Sequence, residues 1–216
     1  MNRRNFLQAA GVGSTALALT VPARAAAGDR TPEGAPEGQT LFEFLGRSNQ
    51  DGPNVTHFGF LTHLFGLADD LLFADANVRT EETARFTFLA SSALDSRHEH
   101  GGIITTSAPG ELTLHLNQTP QGDFNDPDSF ARGQAIAEFG TRYYNVLNVQ
   151  APNQGIATAA VELTLLRASS FALAGQRFRL GRPGLRAHLS ATGQGTRTQP
   201  DPVRAFYLMG GSAVTG

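Results

Sequence analysis

The chain of 216 residues contains no cysteine, no lysine and no tryptophan. Without cysteine the chain can form no disulfide, no thiolate metal site and no cysteine nucleophile. The 17 basic residues are therefore all arginines, and 19 acidic residues oppose them without any basic cluster. This balance argues against nucleic acid and anionic membrane surfaces as partners.

The first 25 residues have the three parts of an export signal. Arg3 and Arg4 form a basic start, an apolar stretch runs to about Pro22, and residues 23–25 (Ala-Arg-Ala) are typical of a cleavage site. The apolar stretch is too short and too rich in small residues for a stable membrane span, which takes about 20 strongly apolar residues. The alternative is an amphipathic helix of the mature domain, but residues 9–21 show no polar face.

Within this segment, Arg3, Arg4, Phe6 and Leu7 resemble the twin-arginine export signal of bacteria. Positions 2 and 8 depart from it, with asparagine for the usual serine or threonine and glutamine for the frequent lysine. The resemblance implies passage through the twin-arginine translocation machinery in a folded state, and a periplasmic or secreted location. Removal of residues 1–25 would leave 14 arginines against 19 acidic residues, a net charge near −5.

Two further regions follow the signal. Residues 26–40 contain two Pro-Glu-Gly repeats and no apolar residue larger than alanine, which predicts a flexible linker. Residues 41–216 contain short apolar runs, several with period-two alternation, separated by Gly, Pro and Asn turns. We expect an all-β domain, a single antiparallel barrel of about eight to ten strands, because closing the sheet removes exposed edge strands.

Some segments leave local alternatives open. Residues 67–73 suit a short helix or a turn, and residues 108–110 (Ala-Pro-Gly) suit a turn between two strands. Alanine-rich residues 130–139 and 156–167 could be helical, although the second segment suits a strand at least as well.

The order of motifs resembles the small β-barrels of the allene oxide cyclase and dirigent group. The resemblance rests on residues 57–62 (His-Phe-Gly-Phe-Leu-Thr), on residues 66–67 (Gly-Leu), and on a C-terminal hairpin over residues 171–187. Residues 175–178 (Gly-Gln-Arg-Phe) match a fragment of the family's glycine-rich stretch before a strand. The resemblance implies a barrel with an apolar cavity, and it transfers no catalytic residue.

An aromatic and polar set could line such a cavity, binding a hydrophobic small molecule. The candidate ligand-binding residues are Phe60, Phe86, Phe88, Phe139, Tyr143, Tyr144 and Asn145. Each would serve a plain packed core equally well.

The histidines and acids suggest further chemistry. On a strand, His98 and His100 share a face and could chelate a metal, but no third ligand follows at a suitable spacing. A polar strand beside a glycine turn is the simpler interpretation, and neither a metal site nor a cofactor is predicted. The acidic loop 123–128 lacks calcium-loop spacing. On one continuous strand, His57 and His63 would share a face with Leu61.

The sequence gives less support for a functional role of the remaining titratable residues. Glu43, Glu138 and Glu162 lie in strand-like apolar runs and could act as general acids or bases if they face inward, whereas the alternation around Glu162 places it toward solvent. His115 and His188 alternate with apolar residues on the expected solvent faces of their strands. No Gly-x-Ser-x-Gly motif or phosphate-binding loop is present.

Three hypotheses follow. The first is an exported barrel that binds a hydrophobic small molecule and could cyclise or isomerise it, mainly by positioning and with one or two polar groups. The second is a non-catalytic exported barrel whose interior is filled by side chains and which serves interactions. The third is a metal-dependent enzyme using His98 and His100. The sequence leaves open the catalytic residues and the oligomeric state, and whether the protein is an enzyme at all.

Overall fold

The structure is a computed structural model that describes residues 34–216. Residues 1–33, which include the predicted export signal and most of the predicted linker, lie outside the described residues. Within the part of the chain that is described, no helix is long and apolar enough to cross a membrane.

The predicted antiparallel barrel is confirmed. Eight strands pair in the order β3-β2-β1-β11-β10-β7-β6-β5, and pairing of β3 with β5 closes the sheet. These strands are β1 (Thr40–Asp51), β2 (Asn54–Leu64), β3 (Phe86–Ala93), β5 (Ile103–Leu116), β6 (Gln134–Ala151), β7 (Gln154–Ala168), β10 (Arg186–Pro200) and β11 (Val203–Thr215).

Three short strands and two 3-10 helices complete the domain. Strand β4 (Ser96–His100) continues from β3 and pairs with the first part of β5, and β8 (Phe171–Leu173) forms a hairpin with β9 (Gln176–Phe178). The 3-10 helices span Asp69–Leu72 and Pro127–Ala131. The first of them lies where the sequence suggested a short helix or turn.

Residues 108–110, predicted as a turn, instead lie inside β5. Along one edge, β5 pairs with two different strands. Its residues 103–107 pair with β4, and its residues 110–116 pair with β3. Pro109 lies in the gap between these pairings, where its missing N–H group interrupts neither ladder. The turn lies earlier, at Gly101 and Gly102, which both have a positive φ.

The two alanine-rich segments are strands. Residues 134–139 belong to β6 and residues 156–167 to β7. Over residues 154–166 of β7, exposed and buried side chains alternate, because small or apolar residues such as Ala157, Ala159 and Val161 point into the barrel. Barrel closure favours a strand over a helix for this segment, because β7 pairs with β10 on one side and with β6 on the other.

The two ends of the barrel differ. At one end the chain reverses through short turns, at residues 52–53, 152–153 and 201–202. At the other end, longer connections cover the interior, and Phe171, Phe178 and Leu180 bury their side chains there. The rings of Phe86 and Phe171 meet edge to face at 5.6 Å, which joins the β8–β9 hairpin to the barrel core.

The last residues of the predicted linker pack on this covered end. Ala35 is buried, the N–H of Gly38 donates to the carbonyl of Thr215, and the hydroxyl of Thr215 donates to the carbonyl of Pro36. Residues 35–39 are therefore part of the folded domain, because their backbone groups extend the hydrogen bonding around β11.

Candidate functional site: a cavity at the open end of the barrel

A cavity of about 230 Å³ fills the end of the barrel that has the short turns. All eight strands of the barrel contribute to its wall, and β4 adds two charged residues. Its wall is formed by Ser48, Gln50, Val55, His57, Ser92, Leu94, Arg97, Glu99, Ile104, Thr106, Asn145, Leu147, Val149, Asn153, Gln154, Gly155, Ala157, Gly195, Arg197, Val203, Ala205, Tyr207 and Met209. We call it the mouth cavity.

A smaller cavity of about 50 Å³ adjoins the mouth cavity deeper in the barrel. Ser48, His57, Asn145 and Met209 line both spaces. Apart from these residues, its wall is mainly apolar, formed by Phe42, Phe44, Gly46, Arg47, Phe88, Leu112, Tyr143, Ala159, Val161, Leu189 and Ala191. We call it the deep cavity.

A polar cluster lies where the two cavities meet. Ser48 Oγ lies 2.7 Å from His57 Nδ1, and Ser92 Oγ lies 3.3 Å from His57 Nε2. The Ser48 hydroxyl also lies 3.4 Å from the sulfur of Met209, to which it can donate. The ring of Tyr143 stacks on the imidazole, with centroids 4.7 Å apart and planes 12° from parallel.

Burial changes the acid–base behaviour of this cluster. The His57 side chain is half-buried and lines both cavities, and the desolvation of its ring lowers its pKa to about 4. Burial likewise raises the pKa of Tyr143 to about 12. Both side chains are therefore uncharged near neutral pH, and the cluster offers neutral hydrogen-bonding groups within an apolar wall.

Local sequence determines how the cluster is assembled. The β1–β2 hairpin has a two-residue turn between Asp51 and Asn54, and counting back along both strands places Ser48 opposite His57. The same register pairs Gly46 with Gly59. A Cβ atom on either glycine would lie within 3 Å of the Phe88 ring, so their lack of side chains lets that ring line the deep cavity.

The charged groups of the site lie at its outer rim. Arg97 pairs with Glu99 at 2.6 Å, and Arg197 donates from Nε to the side-chain oxygen of Asn153 at 3.0 Å. Arg47 touches the deep cavity, but its guanidinium lies 4.7 Å from the centre of the Phe206 ring, on the outer face. The inner part of the site therefore suits an uncharged group.

The predicted ligand-binding residues fall in different places. Phe88, Tyr143 and Asn145 line the deep cavity, and Asn145 also lines the mouth cavity. Phe86 and Phe139 point into the barrel but are buried in the core without lining either cavity.

Phe60 and Tyr144 lie outside the barrel interior. Phe60 packs on the outer face, against Phe73 and Phe124, beneath the connections that follow β2 and β5. Tyr144 is exposed over 48% of its surface, because it neighbours the inward-facing Tyr143 and Asn145. Strand alternation thus separates residues that are adjacent in the sequence.

The histidine pair of the metal hypothesis points away from the cavities. His98 and His100 are exposed on β4, whereas Arg97 and Glu99 alternate with them and line the mouth. Among residues 34–216, no three His, Asp or Glu side chains group closely enough to hold a metal ion. Nothing in this arrangement supports the metal-dependent enzyme.

The prediction that His57 and His63 share a face is wrong. The register between β1 and β2 shifts beside Phe44, so β2 carries an extra residue, Thr62, and the inward phase changes there. His57 points inward, whereas His63 lies outside with its Nδ1 2.8 Å from a carboxylate oxygen of Asp69.

The other candidates also lie away from the cavities. Glu43 and Glu162 are exposed, and Glu138 pairs with Arg167 on the outer face at 2.7 Å. His115 was expected on a solvent face but is buried, because the segment after β5 covers it, and this burial lowers its pKa. His188 is exposed, as expected.

Sequence reasoning did not single out Ser48 or Ser92, and it treated His57 as an ordinary histidine. For Ser48 a signal existed, since it continues the inward alternation of Phe42, Phe44 and Gly46 and lies opposite His57 across a recognisable turn. Ser92 gave no such signal, because a connection of more than twenty residues separates β2 from β3.

Comparisons of the chain with models of known families, with curated proteins and with solved structures gave no significant match. The functional argument therefore rests on the site itself.

Proposed function

We propose that this protein is an exported barrel that binds a small, mostly apolar and uncharged molecule in the mouth and deep cavities. The observation that supports this most strongly is the neutral Ser48–His57–Ser92 cluster, held within the apolar interior and accessible from the open end. An apolar concavity with a few convergent polar groups is the usual form of a small-molecule site.

The dimensions restrict the ligand. A cavity of about 230 Å³ joined to one of about 50 Å³ is at the lower limit of drug-sized sites. We infer a compact molecule of one or two rings, or a short branched chain, with one or two oxygen atoms. The second hypothesis required an interior filled by side chains, and the open space within the barrel does not favour it.

The reaction that suits this site is an isomerisation or cyclisation within one bound molecule. Such a reaction needs positioning and one or two polar groups, and it needs no co-substrate. The apolar wall would hold the molecule in one conformation, and the hydroxyl, imidazole and amide groups would contact its oxygen atoms. Export from the cytoplasm, proposed from residues 1–25, would place this site in the periplasm or the medium.

Binding can be measured with 2-naphthol, a compact uncharged probe with one hydroxyl group. Because the chain has no tryptophan, the naphthol fluorescence can be followed without a tryptophan background. We expect saturable binding at one site per chain, displaceable by other small apolar molecules.

A matched pair of variants locates the binding. Ala157→Leu places a larger side chain in the mouth cavity, whereas Ala160→Leu places the same side chain on the exposed outer face of the same strand. We expect at least a tenfold weaker affinity for Ala157→Leu and no change for Ala160→Leu. Absence of saturable binding to the wild-type protein would contradict the proposed function.

A further inference from the structure

The contacts of His57 are symmetric. Each ring nitrogen has a serine hydroxyl as its neighbour, with Ser48 at Nδ1 and Ser92 at Nε2, and all three side chains line the mouth cavity. No carboxylate lies among these contacts, so the cluster offers no opposite charge to an imidazolium ion.

A neutral imidazole has one donor and one acceptor nitrogen. In this cluster one serine therefore donates to the ring while the other accepts from it. If a proton arrives at the first serine and another leaves from the second, the imidazole changes tautomer and stays uncharged. Such a transfer suits an apolar site, because no buried charge develops on the ring.

We propose that Ser48, His57 and Ser92 form a proton relay that isomerises a small uncharged carbonyl compound by moving a proton from one position of it to another. This inference rests on the proposed function, since it requires the ligand to occupy the mouth cavity. It adds a catalytic role for the two hydroxyl groups and the imidazole between them.

The substrate class follows from the chemistry of the transfer. A proton can leave carbon only where the remaining electrons are delocalised, as they are beside a carbonyl group. Asn145 lines the same cavities and donates one amide N–H to Thr106 Oγ1 at 3.2 Å, which leaves a second N–H for a ligand oxygen. A carbonyl oxygen is the matching acceptor.

For a β,γ-unsaturated ketone the transfer balances without any co-reactant. One hydroxyl takes the proton from the carbon between the carbonyl and the double bond, and passes its own proton to the imidazole. The opposite nitrogen gives its proton to the second hydroxyl, which protonates the carbonyl oxygen, so that a C–H bond breaks and a dienol forms. The reverse transfer then delivers a proton to the γ carbon, and the double bond becomes conjugated.

The test uses 3-cyclohexen-1-one, whose conversion to 2-cyclohexen-1-one is followed by ultraviolet absorbance. We expect the wild-type protein to accelerate this conversion by about 10²-fold or more over buffer, a typical contribution of positioned acid–base groups. Ser92→Ala and His57→Gln should each lose most of this acceleration. The control is His63→Gln, which changes a half-buried histidine on the outer face of the same strand and should keep the full rate.

A second readout separates transfer from mere structural support. In deuterium oxide, part of the product from the wild-type protein should carry protium at the γ carbon, because the relay returns the proton that it removed. Product labelled only with deuterium would overturn the relay, because solvent would then supply the proton.

The two proposals fail in different ways. Urea unfolding is measured on each variant in parallel, so a variant that no longer folds is recognised by the loss of its unfolding transition, and 2-naphthol binding is compared only among folded variants. If the wild-type protein binds 2-naphthol but does not convert the ketone, the relay is wrong and the binding site stands. If it binds neither probe nor ketone, the proposed function fails as well.

Discussion

His57 and Tyr143 stack face to face inside the barrel, although they come from β2 and β6, which are not neighbours in the sheet. The contact joins two walls of the barrel at the boundary between its mouth and deep cavities. It also shields one face of the imidazole, which contributes to the burial that keeps the ring neutral. We therefore expect stability and the proposed ligand binding to depend on the same pair of rings.

The buried imidazole should make stability depend on pH. The pKa of His57 is about 4 in the folded protein and close to its ordinary value of 6.5 in the unfolded chain, so the unfolded chain takes up the proton first as pH falls. Stability should be complete above pH 6.5 and fall toward pH 4, by about 3 kcal/mol from this residue. Urea unfolding of the wild-type protein and of His57→Gln at several pH values measures the difference. The pKa of His115 is also lowered, but this residue is present in both proteins, so its effect cancels in the comparison. The same dependence of unfolding free energy on pH in both proteins would contradict this prediction.

Gly46 provides a test of how the deep cavity is formed. In Gly46→Ala the new Cβ would lie 2.6 Å from the carbonyl oxygen of Phe58 and 2.8 Å from the Phe88 ring, and the backbone cannot move freely. We expect a loss of about 1–3 kcal/mol in the free energy of unfolding, together with weaker probe binding. Gly140→Ala is the control, because its Cβ would make only ordinary contacts, the nearest at 3.7 Å. Equal stability of the two variants would show that the close approach is unimportant.

The covered end of the barrel should contribute to stability and not to binding. Phe171→Ala removes ring contacts with Phe86 and Phe178, both at 5.6 Å, and should cost about 3–5 kcal/mol in chemical denaturation. The affinity for 2-naphthol should not change, since Phe171 lines neither the mouth nor the deep cavity. Leu208→Ala, at a residue 57% exposed, serves as the control and should change stability by less than about 0.5 kcal/mol. An affinity that falls with Phe171→Ala would indicate that the ligand site extends to this end.

The export proposal predicts a specific dependence on the two arginines. Replacing Arg3 and Arg4 together by lysine keeps the charge of the segment and removes the paired guanidinium groups that the twin-arginine route requires. We expect the double variant to accumulate in the cytoplasm at its precursor mass, as measured by cell fractionation and mass spectrometry. Arg24→Lys, which changes a single arginine outside the pair, should still be exported. Normal export of the double variant would contradict the proposed route.

The period-two pattern was sufficient to predict the barrel, because inward and outward residues must alternate along every strand of a closed sheet. Details that depend on partner strands were not predictable. Proline is typical of turns, yet Pro109 lies within β5, between the part that pairs with β4 and the part that pairs with β3. His63 faces outward because of a register shift between β1 and β2 that cannot be predicted from the sequence pattern.

The candidate site was predicted only in part for the same reason. Phe88, Tyr143 and Asn145 line the cavities, whereas Phe60 and Tyr144 have suitable chemistry on the wrong face of their strands. Residue type indicates what a side chain could do, and the register decides where it lies. A register count from the β1–β2 turn would have paired Ser48 with His57, but the approach of Ser92 depends on long-range pairing.

The central claim is that the mouth and deep cavities hold a small, mostly apolar molecule. Native mass spectrometry of the protein isolated from the periplasm or medium of its own cells tests it most directly. We predict a species heavier than the mature chain by the mass of one small organic molecule, retained in Ala160→Leu and lost in Ala157→Leu. A wild-type protein that carries only the mass of its mature chain, or an Ala157→Leu variant that carries the same added mass, would contradict it.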